Sequence, residues 1–194
     1  MKVRIYIEGG GEGKELDEVF RRAWKRFFEA AGVSRKPRVI RGGGRQHTFD
    51  AFRHRAARDT AEETSLLLVD SEGAVQSEVW EQLHIRDGWV RPAGVSHRQA
   101  FLVVQVMETW FLADVDALQR CFGASFRPRA LRAWPQLEQV PKETIFDVLA
   151  QASGRRYTKR TAFDLLERIS PDLVENACPH AKALLSYLLS LIHI

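Results

Sequence analysis

Cysteine is scarce: Cys121 and Cys178 are the only two among 194 residues. Two distant thiols without a C-x-x-C pair neither staple a small secreted fold nor build a thiolate zinc site. A reducing, cytoplasmic setting is therefore the expectation. Long apolar runs are missing too. The longest, residues 184–194, is broken by Ser186, Ser190 and His193. It is too short to span a bilayer, so no membrane partner is expected. The first eight residues alternate charged and apolar side chains, which marks a strand rather than a signal peptide. Internal repeats are absent. His47, His54, His84, His97, His180 and His193 show no H-x-x-x-H spacing, and no Ser-His-Asp or Cys-His arrangement can be read.

Two phosphate-binding signatures are absent as well. A Walker A loop reads G-x-x-x-x-G-K-[ST]. Here only three residues separate Gly9 from Gly13, and Glu15 follows Lys14. The dinucleotide pattern G-x-G-x-x-G fails at Lys14.

The composition itself is ordinary for a folded domain: 45% hydrophobic and 28% charged residues, enough apolar surface for one proper core. The net charge of +4 is mildly basic and says little about partners. Residues 3–7 alternate β-branched or aromatic side chains with polar ones and read as a first strand. Residues 37–40, 65–69 and 101–107 read as three more. The run Ser65-Leu66-Leu67-Leu68-Val69 suits a strand buried on both faces. Between the strands, apolar residues recur at helical spacing over 15–31, 48–60 and 77–83, and again over 108–122. Residues 86–98 read as a loop. The five tryptophans are read as core or interface residues. Strands alternating with helices predict an α/β fold: a mainly parallel four-stranded sheet with helices on both faces. Residues 126–141, with three prolines, read as a linker. Helices follow over 142–152, 161–169 and 171–189. The expected division is an α/β domain over 1–123 and a helical carboxy-terminal extension over 124–194. The last six residues resemble sequencing-adapter read-through and carry no functional reading.

Acids stand at the ends of these strands. Glu8 closes the first, with Glu12 four residues on. Asp70-Ser71-Glu72 closes the third, and Glu108 follows the fourth. In an open parallel sheet, ligands sit beyond the carboxyl ends of the strands. Carboxylates gathered there repel one another unless a cation offsets them, and hard oxygen donors suit Mg²⁺ or Mn²⁺. The expected metal ligands are Glu8, Glu12, Asp70, Glu72 and Glu108. Each acid alone also fits a plain role as a helix cap or a solvated side chain, Glu108 most readily.

Glu8-Gly9-Gly10-Gly11-Glu12 resembles the E-G-x-x-E opening of Toprim domains in the OLD and RloB-like nuclease group. Val69-Asp70-Ser71-Glu72 is similar to their D-x-D element, with glutamate in the third position. Glu108-Thr109-Trp110-Phe111-Leu112 resembles the acidic E-x-W-L-L segment after the fourth strand. The resemblance covers roughly residues 1–120, and the string from Glu8 to Asp17 is also similar to a bacterial family of Toprim-like proteins of unassigned function. It implies a Toprim-like fold and a magnesium-dependent nuclease of a bacterial defence type. Glu8, Glu12, Asp70 and Glu72 would be its catalytic residues. Lys159 would join them, since Lys159-Arg160-Thr161-Ala162 resembles, one residue shorter, the K-x-x-x-A-like context of OLD-like nucleases; a plain exposed helix start fits it equally.

Residues 35–58 carry Arg35, Lys36, Arg38, Arg41, Arg45, Arg53, Arg55 and Arg58 against Asp50 alone. A second basic stretch holds Arg155, Arg156, Lys159 and Arg160 around Tyr157. Such stretches serve solubility as readily as phosphate binding. On the nuclease reading, Arg41, Arg45, Arg155, Arg156 and Lys159 would contact nucleic acid. The competing reading is a non-catalytic subunit that docks on a separately encoded ATPase. A topoisomerase or primase is disfavoured, because no nucleophilic-tyrosine domain or zinc ribbon accompanies the core. Self-association into a homo-oligomer stays open.

Overall fold

The computed structural model describes residues 1–10, 13–34 and 37–191. Four strands, β1 (Lys2–Ile7), β2 (Arg38–Arg41), β3 (Glu63–Asp70) and β4 (Ala100–Val103), form one sheet in the order β2-β1-β3-β4. Every pairing is parallel. The register sets Ile7 opposite both Arg41 and Leu68, and Asp70 opposite Val103, so the carboxyl ends share one edge. The expected α/β architecture is therefore what forms.

Period-two alternation splits the strands between two cores. Ile5, Ile7, Leu66, Leu68, Phe101 and Val103 face one side. Tyr6, Leu67, Val69, Ala100 and Leu102 face the other. The second side is covered by α2 (Arg45–Ala56) and α3 (Val79–Asp87), through Phe49, Phe52 and Leu83. The first side takes α1 (Lys14–Ala30), whose Val19, Phe20, Ala23, Trp24, Phe27 and Phe28 form a stripe at helical spacing. On it also pack α4 (Glu108–Phe111), α5 (Val115–Phe122), α6 (Lys142–Ala152), α7 (Lys159–Leu166), α8 (Pro171–Ala177) and α9 (Pro179–Ser190). The core thus runs without a break from β1 into the helices beyond residue 124.

Three elements differ from the sequence reading. The fourth strand stops at Val103, short of 107. The helix expected over 108–122 is two helices: Asp114 caps α5 by accepting from the Ala117 amide (2.8 Å), while its other oxygen accepts from the Ser170 amide (2.8 Å). The helix expected over 171–189 breaks at Pro179, which lacks an N–H and pushes Cys178 into an extended conformation. No helix among the described residues is long and apolar enough to cross a membrane.

Candidate functional site

The chain leaves β1 for β2 on one side and reaches β3 on the other, so the crevice between β1 and β3 is the switch point of the sheet. Glu8 and Asp70 flank it. The Glu8 amide donates to the Leu68 carbonyl (3.0 Å), extending the β1–β3 ladder by one bond. A cavity of ≈ 250 Å³ opens here. Glu8, Asp70, Glu72 and Glu108 all line it, as do Lys142 and Lys159.

Backbone contacts fix each acid. The Ser71 amide donates to the Val103 carbonyl (2.9 Å) and the Glu72 amide to the Gln105 carbonyl (2.7 Å), tying the segment after β3 to the one after β4. Glu72 itself adopts φ +60°, a left-handed conformation that costs a side chain on the order of 1 kcal/mol. Such strain is found where a site holds a residue in place.

Burial pushes the Glu8 carboxyl up from its ordinary range; Arg45 pulls it down and Glu72 pushes it up further. Burial raises Glu108 as well, against a hydrogen bond from the Tyr157 hydroxyl at 2.6 Å. Asp70 is held well above the usual carboxylate range, first by burial and then by the charges of Glu8, Glu108 and Glu72. Among the described residues no side chain donates to Asp70 or pairs with it. Glu72 pairs with Lys142, whose ammonium is held up by that bond. Burial and Glu108 push the Tyr157 hydroxyl far up, so it stays a proton donor.

Of the five acids expected as metal ligands, Glu8, Asp70, Glu72 and Glu108 line one cavity, and the place of Glu108 at the start of α4 does not keep it from the pocket. Glu12 lies outside the described residues. As the side chains stand, no three His, Cys, Asp or Glu among the described residues are close enough together to hold a metal ion. Glu8, Glu72 and Glu108 are each drawn toward a partner of their own. The donor set nevertheless has the right chemistry for a hard cation: four carboxylates, all oxygen, with raised proton affinity where buried.

The arginines correct the sequence reading. Arg41, only 6% exposed, donates to the carbonyls of Gly9 (2.8 Å) and Gly10 (3.1 Å) and pairs with Asp17, bracing the glycine turn from inside. Arg45, 15% exposed, grips Asp87 with two bonds (2.8 and 2.7 Å), reaches Glu8 at 3.0 Å and the Asp70 carbonyl, and lies over the Trp89 ring. Both are spent on holding the acids and their turn, so neither is presented to a phosphate chain. Arg55 pairs with Glu63 and Arg53 with Asp50, which neutralises much of the expected basic rim. Arg35 and Lys36 lie outside the described residues. Arg155 and Arg156 are exposed and do not line the pocket, and Lys159 reaches the Gly10 carbonyl there.

Glycine is needed at two points. A Cβ on Gly9 would come within 2.7 Å of the Phe20 ring, and one on Gly42 within 2.1–2.6 Å of Thr48, its Cα included. Sequence reasoning missed Lys142, Tyr157 and Phe146, which also lines the cavity. They lie on helical segments or turns with no distinguishing spacing, so no local signal marks them.

A family profile described as a domain of unknown function, DUF4276, matches residues 7–189. The chain belongs to the DUF4276 family. The match takes in every described residue of the pocket, from Ile7 to Phe163, together with β2 to β4 and the helices after them; of β1 it takes Ile7 alone. No curated protein matches the chain, and no solved structure does.

Proposed function

We propose that this DUF4276 protein is a divalent-cation-dependent phosphodiesterase acting on nucleic acid, with the cavity at the β1–β3 crevice as its active site. One observation carries the reading: Glu8, the Asp70–Glu72 pair and Glu108, from three separate points of the chain, line one pocket together with Lys142 and Lys159. Mutual repulsion makes that arrangement costly on its own. The resemblance of the same acidic motifs to Toprim domains points the same way.

Glu8, Asp70, Glu72 and Glu108 would hold Mg²⁺ or Mn²⁺, Glu12 being a further candidate. Such an ion activates water and offsets charge on a scissile phosphate. Where Asp70, Glu72 and Glu108 alone hold the cation, Glu8, with its raised proton affinity, instead takes the proton of the attacking water at its carboxylate. Arg45 keeps that carboxylate turned into the pocket. The Lys142 and Lys159 ammoniums, which rest on Glu72 and on the Gly10 carbonyl, would exchange those partners for the phosphate oxygens, and Tyr157 steadies Glu108. Water adds across one P–O bond, leaving a phosphomonoester and a free hydroxyl.

A polymer substrate fits the surface beside the pocket. Arg155 and Arg156 precede α7, and the Arg127 amide donates to the Ala152 carbonyl (2.8 Å), which sets exposed Arg127 and Arg129 beside them. Among the described residues none of these four pairs with an acid. Glu8→Gln should abolish cleavage of DNA or RNA with Mg²⁺ or Mn²⁺ while leaving most binding intact, because binding draws on the lysines and surface arginines. Cleavage by Glu8→Gln at the wild-type rate would sink the assignment.

The binding-subunit reading draws on a different feature. Ile85 and Val90, at the end of α3 and just after it, are each 70% exposed, and a docked partner such as a separately encoded ATPase would take them out of water. It predicts no cleavage by the isolated chain with either cation.

A further inference from the structure

Resting on that reading, we infer that the pocket accepts an unpaired nucleotide, so that the substrate is a single strand or an unpaired stretch of nucleic acid, and that Phe146 is the residue that selects it. The argument begins with α6. Ile145, Val148, Leu149 and Ala152 bury one side of the helix. Lys142 and Phe146, four residues apart and hence stacked on one face, line the cavity instead. Phe146 is 40% exposed, one of few large apolar side chains left in water, and it sits in the same cavity as the four acids.

A solvent-facing phenyl ring has no role in the core. Beside a phosphate site it offers a flat apolar face, and every nucleobase carries a π-face that stacks on such a surface regardless of sequence. Lys142, one turn before it, supplies charge next to that face, and Lys159 supplies more from α7. Val106 and Met107 from the segment after β4 and Phe163 from α7 add further apolar lining to the same cavity. The cavity, ≈ 250 Å³, is smaller than the roughly 300–1,000 Å³ usual for a small-molecule pocket. It has room for one base against Phe146, with the phosphate beside Lys142 and Lys159. In an intact duplex each base is stacked between its neighbours and paired, so no base face is free for Phe146 while a phosphate lies at those lysines.

The test compares labelled single-stranded DNA and RNA with the same sequences in duplex form. Binding is read by fluorescence anisotropy in the Glu8→Gln background and cleavage in the native background. The protein should bind the single strands more tightly than the duplexes. Phe146→Ala and Phe146→Leu should weaken single-strand binding roughly 5- to 150-fold, the range for loss of one stacked base, and leave duplex binding unchanged. Phe146→Tyr, which keeps the ring, should restore it, and equal thermal midpoints of the variants exclude a folding defect. Equal loss on both substrates, no loss with Phe146→Ala, or a duplex preference overturns the inference. Single-strand binding that depends on Phe146, without cleavage under either cation, supports the inference and removes the hydrolase. Cleavage that ignores Phe146 does the opposite, and no binding to any probe overturns both.

Discussion

Asp70 concentrates the electrostatic cost of the pocket. An unfolded aspartate titrates near about 3.9; in the folded chain burial and the charges of Glu8, Glu108 and Glu72 hold it well above that. Between the two values the folded chain keeps a proton that the unfolded chain has released, so stability falls as pH rises through that window. Glu8 and Glu108, both raised, act with the same sign. Asp70→Asn should therefore raise the thermal midpoint of the cation-free protein at neutral pH, by roughly 2–4 °C for each kcal/mol of repulsion removed. The gain should shrink as pH falls toward 4. Mg²⁺ should stabilise the native chain and not the variant. A thermal scan across pH with and without the cation reads all three. At this scale the sequence was partly legible. Glu8 and Asp70 could be found because each closes a strand, and strand ends are where a parallel sheet binds ligands. Lys142 could not: it meets Glu72 from 70 positions away. Tyr157 reaches Glu108 across 49, and no local pattern records such a distance. Arg41 and Arg45 were misplaced because charge alone does not reveal whether a guanidinium faces water or its own backbone.

Among the elements, the turn from β2 into α2 controls the site. The Gly42 amide donates to the Ile7 carbonyl (2.9 Å), and the Gly9 amide to the Gly43 carbonyl (3.0 Å), so the two glycine turns are laced together. Arg45 stands in the first turn of α2, with Thr48 packed against Gly42. A methyl group at position 42 would collide with Thr48 and shift that turn, carrying Arg45 away from Glu8. Gly42→Ala should cost about 1–3 kcal/mol, as overpacking does, lowering the urea midpoint with an unchanged m value. It should also lower catalytic turnover beyond what the stability loss explains. The alternation of strands and helices was readable from hydrophobic period, since period two and period 3.6 are distinct. The breaks inside helices were not. The apolar stripe continues past Asp114 and past Pro179, and only the cap that Asp114 makes with Ala117 and Ser170 shows why α4 and α5 part.

Across the whole molecule, the site is a product of both halves of the chain. The sheet supplies Glu8, Asp70 and Glu72 at one edge, α4 adds Glu108, and the helices beyond residue 124 close the pocket with Lys142, Phe146, Tyr157 and Lys159. The division expected at 123/124 falls inside one continuous core, in which Leu149, Phe163 and Leu185 pack with Ile5 and Phe28. A DUF4276 match that spans residues 7–189 agrees with that continuity. Asp70→Asn gives the sharpest test of the central claim, because the variant should be folded and more stable than the native chain. The measurement is cleavage of labelled single-stranded DNA and RNA by both proteins, with Mg²⁺, with Mn²⁺ and with a chelator. The native protein should cleave only when a cation is present, and Asp70→Asn should lose at least about 100-fold in rate, the scale of removing one essential acid–base or electrostatic group. Equal rates for the two proteins, or no cleavage by the native chain with either cation, would contradict the account.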